Sequence, residues 1–248
     1  MSGAGDGARR PGSGNGRPST PPSADSLEAT PRRFWVAGAT GFLGSHLCRD
    51  LRTRGHQVIA VSRRGGDAVA ALDVCDKDEV AVSARGCDGA FLCTGKVSRD
   101  PADAEQLHRH NVVATRNALA GLRQAGVRRV VVASTSGTIA VSSDASQIAD
   151  EESSAPMDLI ARWPYYRSKL YGEREALGAN APEFEVVIVN PSLLLGPGDL
   201  QGSSAIDVQR FLERAIPAVP AGGIAFVDAR DAATGMRLAF EHGRPGER

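Results

Sequence analysis

From Phe34 onward, short unbroken apolar runs alternate with longer stretches in which apolar residues recur every three or four positions. The runs are FWVAG (34–38), HQVIAVS (56–62), VAALDV (69–74), GAFLCT (89–94), RRVVVAST (128–135) and FEVVIVN (184–190). Runs this short, rich in valine and isoleucine and without polar alternation, suit strands buried on both faces. The helical period covers 42–54, a long stretch near 103–125, a segment from about 163 and a last one at 230–241. Strand and helix in alternation predict a parallel sheet covered on both sides, an α/β doubly wound Rossmann-type architecture. No period of a solenoid or propeller is present.

Composition divides the chain in two. Residues 1–32 are Gly, Pro, Ser and Arg with almost nothing apolar, so ordering them would gain too little burial to offset the entropy lost. They are expected to be a disordered tail. A transit peptide is the rival reading, opposed by Asp6, Asp25 and Glu28. Residues 33–248 carry the folded domain, and the 42% hydrophobic content of the 248 residues suffices for one substantial core.

Charge and cysteine usage narrow the function. Lys+Arg and Asp+Glu number 29 each, so no net field draws the chain to nucleic acid or an anionic membrane. Cys48, Cys75, Cys87 and Cys93 form no C-x-x-C pair, and no histidine stands at zinc-finger spacing. No metal is expected, and reduced thiols fit a cytoplasmic protein. There is no apolar run long enough to span a membrane.

The chemistry begins where the first strand meets the first helix. In a doubly wound sheet that turn lies at the carboxyl edge where ligands bind, and here it reads GATGFLG. Gly38 suits the tight turn, Gly41 lets backbone approach a pyrophosphate, and Gly44 lets helix and strand pack closely. The backbone from Thr40 through Gly41, Phe42, Leu43 and Gly44 then offers unsatisfied N–H groups to phosphate oxygens. A merely structural glycine turn is the alternative, but the position between a strand and a helix favours a dinucleotide.

The end of the second strand selects the cofactor. An acidic residue there would bind the ribose 2′-hydroxyl of NAD, whereas an arginine accommodates the 2′-phosphate of NADP. This strand ends AVSRR, with Arg63 about 19 residues beyond Gly44 and no carboxylate before Asp67. NADP is favoured and NAD is the alternative. Two solvated arginines in a chain with only three lysines would look the same.

Tyr165 and Lys169, in WPYYRSKLYGE, lie four apart and share one helical face. A neighbouring ammonium together with the oxidised nicotinamide favours phenolate over phenol, so the pair predicts a tyrosine with a lowered pKa, acting as general acid or base. Tyr166 and Tyr171 lack a lysine at that spacing and read as packing or pocket residues.

These motifs together resemble the extended short-chain dehydrogenase/reductase family, with its sugar-nucleotide epimerases and its dihydroflavonol-reductase-like and 3β-hydroxysteroid-dehydrogenase-like branches. VAGATGFLGSHL, HNVVATRNAL, VRRVVVASTSGT, YYRSK, NPSLLLGPGD and FVDARDAA carry the resemblance. It implies hydride transfer at a carbonyl or alcohol carbon, with Lys169 also bonding the cofactor ribose. It further implies that Ser136 holds the substrate oxygen, with Ser134 and Thr135 as rivals, and that Asp73 contacts the adenine edge. A loop-capping aspartate would look identical.

The Thr-Asp-Glu run of the dehydratases is replaced by Ser136, Gly137 and Thr138, and SGTIAVS is closer to the reductase-like branch. The resulting expectation is an NADP-dependent ketone reductase or alcohol dehydrogenase acting on a small molecule, with a sugar-nucleotide epimerase as alternative. A cofactor-binding regulator is the second alternative, opposed by the retained Tyr165 and Lys169. The family often pairs as homodimers. Relatives continue beyond the point resembling GRPGER, which predicts a short substrate lobe near 192–225, an exposed apolar patch, self-association and weak turnover.

Overall fold

All six apolar runs form strands in the computed structural model, which describes residues 30–199, 204–218 and 221–248. They are β1 (Arg33–Ala37), β2 (Gln57–Ser62), β3 (Ala70–Ala71), β4 (Gly89–Leu92), β5 (Arg129–Ala133) and β6 (Glu185–Val189). Every pairing is parallel and the order is β3-β2-β1-β4-β5-β6. The order reverses direction between β1 and β4, which opens a crevice at the carboxyl ends of those strands. Most of the expected N-terminal tail, residues 1–29, lies outside the described residues.

Helices cover both faces: α1 (Phe42–Thr53), α2 (Lys77–Ser83), α3 (Ala104–His108), α4 (Ala114–Gln124), α5 (Met157–Ile160), α6 (Pro164–Ala179), α7 (Ala205–Leu212) and α8 (Ala229–His242). Alternation along β1 shows how one strand serves two cores. Phe34 and Val36 pack with Leu43, Leu47 and Leu51 of α1 and with Met236 and Phe240 of α8. Trp35 and Ala37 point to the other face, against Val80 of α2, Leu119 and Leu122 of α4 and Ala176 of α6. The Trp35 indole N–H donates to Ser83 Oγ at 3.0 Å, so the buried ring keeps its polar atom satisfied.

Two expected elements are shorter than the pattern suggested. The 69–74 run pairs only at Ala70–Ala71, because Asp73 accepts from the Cys75 amide and turns the chain toward α2, whose first amides are capped by Asp76. The 103–125 helix is interrupted by a π turn at Arg109–Val113 that separates α3 from α4. The pattern missed α2, α5 and α7, together with a two-stranded parallel pair, β7 (Leu193–Leu195) with β8 (Phe226–Asp228). In this region Phe211, Leu212, Ile224 and Phe226 are 62–74% exposed. No helix among the described residues is long and apolar enough to cross a membrane.

Candidate active site

The glycine turn has the geometry its sequence requires. Gly38 follows β1 with φ +75°, in the left-handed region, and a Cβ there would stand 2.6 Å from the Cys93 carbonyl oxygen. The Gly41 amide donates to Gly38 O at 2.8 Å, closing the turn, and Gly41 is the N-cap of α1. No side chain caps this helix and its first turn holds no acidic residue. Its leading N–H groups therefore keep their positive end available to an anion. Leu43 is buried in the core and Phe42 is half-buried, so both would meet a ligand through backbone, while Thr40 is exposed. Gly44 packs on the turn itself rather than on the strand, since its Cβ would lie 2.2 Å from Gly38 O.

Arg63 is exposed just past β2, and its Nη1 donates to His110 Nε2 at 3.2 Å. Partial burial, with Arg63 and Arg109 adding to it, lowers the His110 pKa, which keeps the ring neutral enough to accept. Asp73 caps its loop: Oδ1 accepts from the Cys75 N–H at 3.0 Å while Oδ2 stands 3.9 Å from Arg109 Nη2. The Cys75 amide bond holds its carboxyl below the ordinary carboxylate range.

Across the crevice, α6 starts with Pro164 at its first turn, where a missing N–H costs nothing. Lys169, half-buried one turn after Tyr165, donates from Nζ to the Ala133 carbonyl at 2.8 Å, at the end of β5. Burial brings its pKa down to about 8, with Glu173 and Cys93 acting in the opposite direction.

The Tyr165 phenol departs from expectation in direction. Burial, followed by the neighbouring Tyr166, pushes it up to about 12, and only a hydrogen bond with the Thr135 hydroxyl pulls it down. The sequence reading had Lys169 lowering it; in the structure burial dominates, and Tyr166 and Thr135 are the neighbours that move it.

The three candidate hydroxyls separate cleanly. Ser134 donates to the buried Glu173, and Thr135, whose hydroxyl accepts from the Gly137 amide at 3.3 Å, is the one whose side chain favours the ionised form of Tyr165. The Ser136 amide donates to Pro191 O at 2.9 Å, and the residue lines a surface cavity with Asn190, His242 and Arg248. Tyr166 is a packing residue, its ring filling the place a Cβ of Gly137 would take.

Asn111 is a buried polar residue that periodicity concealed. It sits in the π turn, 3% exposed, and its amide brackets Lys96: Oδ1 accepts from Lys96 N at 2.8 Å and Nδ2 donates to Lys96 O at 3.0 Å. Nδ2 also donates to Ser168 Oγ at 2.9 Å, fastening α6. The available signal was a polar residue inside an otherwise apolar helical stripe. Asn111→Leu is expected to destabilise the fold by about 1–3 kcal/mol, because the Lys96 backbone groups lose their partners in a part-buried site. Urea unfolding would measure this, and an unchanged midpoint would mean that water replaces the amide.

The chain is similar to proteins of known sequence and of known structure. A Synechocystis sp. protein named for dihydroflavonol 4-reductase is 36% identical over 220 residues, covering 85% of this chain and 64% of that protein. Sterol demethylase protein B of Methylococcus capsulatus is 34% identical, covering 86% of this chain and 67% of its own length. The chain thus spans about two thirds of these relatives. Among solved structures, MoeE5 in complex with UDP-glucose and NAD superposes with a TM-score of 0.71 at 26% identity, covering 85% of this chain and 72% of that one. Residues 34–248, from the first strand of the sheet to the last residue, match one family description, and the chain accordingly belongs to the NAD dependent epimerase/dehydratase family, the extended short-chain dehydrogenases.

Proposed function

We propose that the chain is an NADP-dependent oxidoreductase that moves hydride between a nicotinamide and a ketone or secondary alcohol. The observation that carries this reading is the placement of Tyr165 and Lys169 on one face of α6, against the end of β5. That end lies at the same sheet edge as the uncapped start of α1, since all the strands are parallel. The residues present fit a dinucleotide. The leading amides of α1 would hold its pyrophosphate, Gly41 would let backbone approach it while Gly38 and Gly44 let the turn close on itself, and Arg63 would take a 2′-phosphate. When bound, the cofactor supplies or accepts the hydride.

In this reading Tyr165 transfers the proton at the substrate oxygen and Thr135, rather than Ser136, shares a hydrogen bond with that oxygen. Lys169 bonds the ribose and provides positive charge near the phenol. A phenol held above its ordinary pKa stays protonated at neutral pH, which suits an acid working in the direction of ketone reduction.

The sugar-nucleotide epimerase reading has one specific support, the likeness to MoeE5, whose structure is titled a complex with UDP-glucose and NAD. Incubation of NADPH with a panel of ketones and of nucleotide sugars, followed by absorbance, separates the two. Net NADPH oxidation supports a reductase; a changed sugar without net oxidation supports an epimerase.

Cofactor choice has its own test. NADPH is expected to bind at least several-fold more tightly than NADH, and Arg63→Ala to abolish the preference while leaving NADH affinity unchanged. Equal affinities in the unaltered chain, by titration calorimetry, would return Arg63 to the role of a solvated surface charge.

A further inference from the structure

Glu173 is the most buried charged side chain among the described residues, 2% exposed, one helical turn beyond Lys169 on the same face of α6. Its Oε1 accepts three hydrogen bonds: from Ser134 Oγ, from Thr138 Oγ1 at 2.6 Å and from Asn190 Nδ2 at 2.7 Å. Its Oε2 faces Arg248 Nη1 at 3.3 Å. Asn190 Nδ2 also reaches Thr135 O at 3.2 Å. Successive turns of α6 therefore grip successive residues of one segment: Lys169 holds the Ala133 carbonyl, and Glu173 holds the Ser134 and Thr138 hydroxyls on either side of Thr135.

An amide could tie those hydroxyls, so the choice of a carboxylate needs its own reason. Burying an ion is costly unless opposite charge and donors surround it. The charges near it are Arg248, which also spans to the carbonyls of Glu151 and Ser153, and Lys169. Around Lys169 itself stand Glu173 on its own helix, Cys93 just past β4 and the Ala133 carbonyl of β5. Cys93 is a buried thiol whose pKa is pushed up to about 12, so it carries no charge at neutral pH. Glu173 is then the one anion among the described residues serving Lys169.

We propose that Glu173 is a positioning residue: its carboxylate is the buried anion one turn beyond Lys169 on the same face of α6, while its hydrogen bonds fix the 134–138 segment that presents Thr135. This rests on the oxidoreductase reading for its purpose, but not for its test. The chain has three lysines, Lys77, Lys96 and Lys169, so protein labelled with carbon-13 lysine gives three side-chain signals. Lys169 is the one lost in Lys169→Arg.

In the full chain without cofactor, the Lys169 signal is expected to titrate near pH 8 and to fall by roughly one pH unit in Glu173→Gln, which keeps the size and the accepting oxygen. The paired variant Glu173→Gln, Arg248→Met removes both members of that ion pair, so Arg248 is not left without its carboxylate, and it keeps the test available should the single variant not fold. The same fall is expected there. A Lys169 midpoint that is unchanged, or higher, in whichever variant is folded would overturn the proposal and leave Glu173 as an anchor for Arg248. Neither result depends on whether NADPH is turned over, so a failure here is distinct from a failure of the oxidoreductase reading.

Discussion

Tyr165→Phe is expected to lower ketone reduction by about 10²–10⁴-fold, the usual contribution of a positioned proton donor, while NADPH affinity stays near that of the unaltered chain. The substitution deletes one oxygen and keeps the ring, whose centroid lies 5.3 Å from that of Tyr166. Packing around the start of α6 should therefore survive. Lys169 does not depend on the phenol for its placement, because its ammonium is bonded to Ala133 O, so the ribose contact proposed for it would be undisturbed. The loss should consequently appear in turnover rather than in cofactor binding. Stopped-flow measurement of NADPH oxidation alongside calorimetric titration makes the comparison; turnover equal to that of the unaltered chain would reassign the proton donor.

The sheet was legible because parallel strands buried on both faces must be apolar wherever they are fully buried, which is a strong local signal. RFWVA and EVVIV could hardly be anything else. The interruption of the 103–125 helix was not, because its cause is tertiary. Asn111 turns inward to grip the backbone of Lys96, 15 residues earlier, and nothing in the neighbouring sequence announces that. The strands β7 and β8 have three residues each and offer too few positions for any period to show.

The same division runs through the site. Tyr165 and Lys169 were readable because a helix fixes which residues share a face. The choice among Ser134, Thr135 and Ser136 was not, since neighbouring side chains at the end of a strand point in different directions and an error of one residue changes the neighbour entirely. Glu173 was visible as a glutamate four residues past Lys169, yet its burial and partners come from residues far apart in the chain, Ser134, Asn190 and Arg248.

Gly44→Ala sets two opposed effects against each other, and the magnitudes decide the outcome. Alanine is the best helix former, so in an open helix this change gains roughly 0.5–1 kcal/mol. At Gly44 the new Cβ would stand 2.2 Å from Gly38 O, 2.8 Å from Gly38 C and 3.2 Å from Ala39 Cα. All three are backbone atoms, none of which can swing aside like the end of a long side chain. Gly38 is itself wedged against the Cys93 carbonyl, and α1 is pinned by Leu47 and Leu51, both fully buried. Relief requires lifting the helix start off its turn, and overpacking of this kind costs about 1–3 kcal/mol or more.

The cost should win, giving a fall in melting temperature of about 2–4 °C for each kcal/mol lost. It should also weaken NADPH binding at least about tenfold, because the amides of α1 that would hold the pyrophosphate move with the helix. Gly235→Ala supplies the control: it lies inside α8, where a Cβ would meet nothing within 4 Å, so the same substitution should leave NADPH binding alone and raise stability by the helix-propensity gain. If Gly44→Ala instead melted with or above Gly235→Ala and bound NADPH undiminished, the 38–44 turn would have to be plastic, and close backbone contact could not be what those glycines are for.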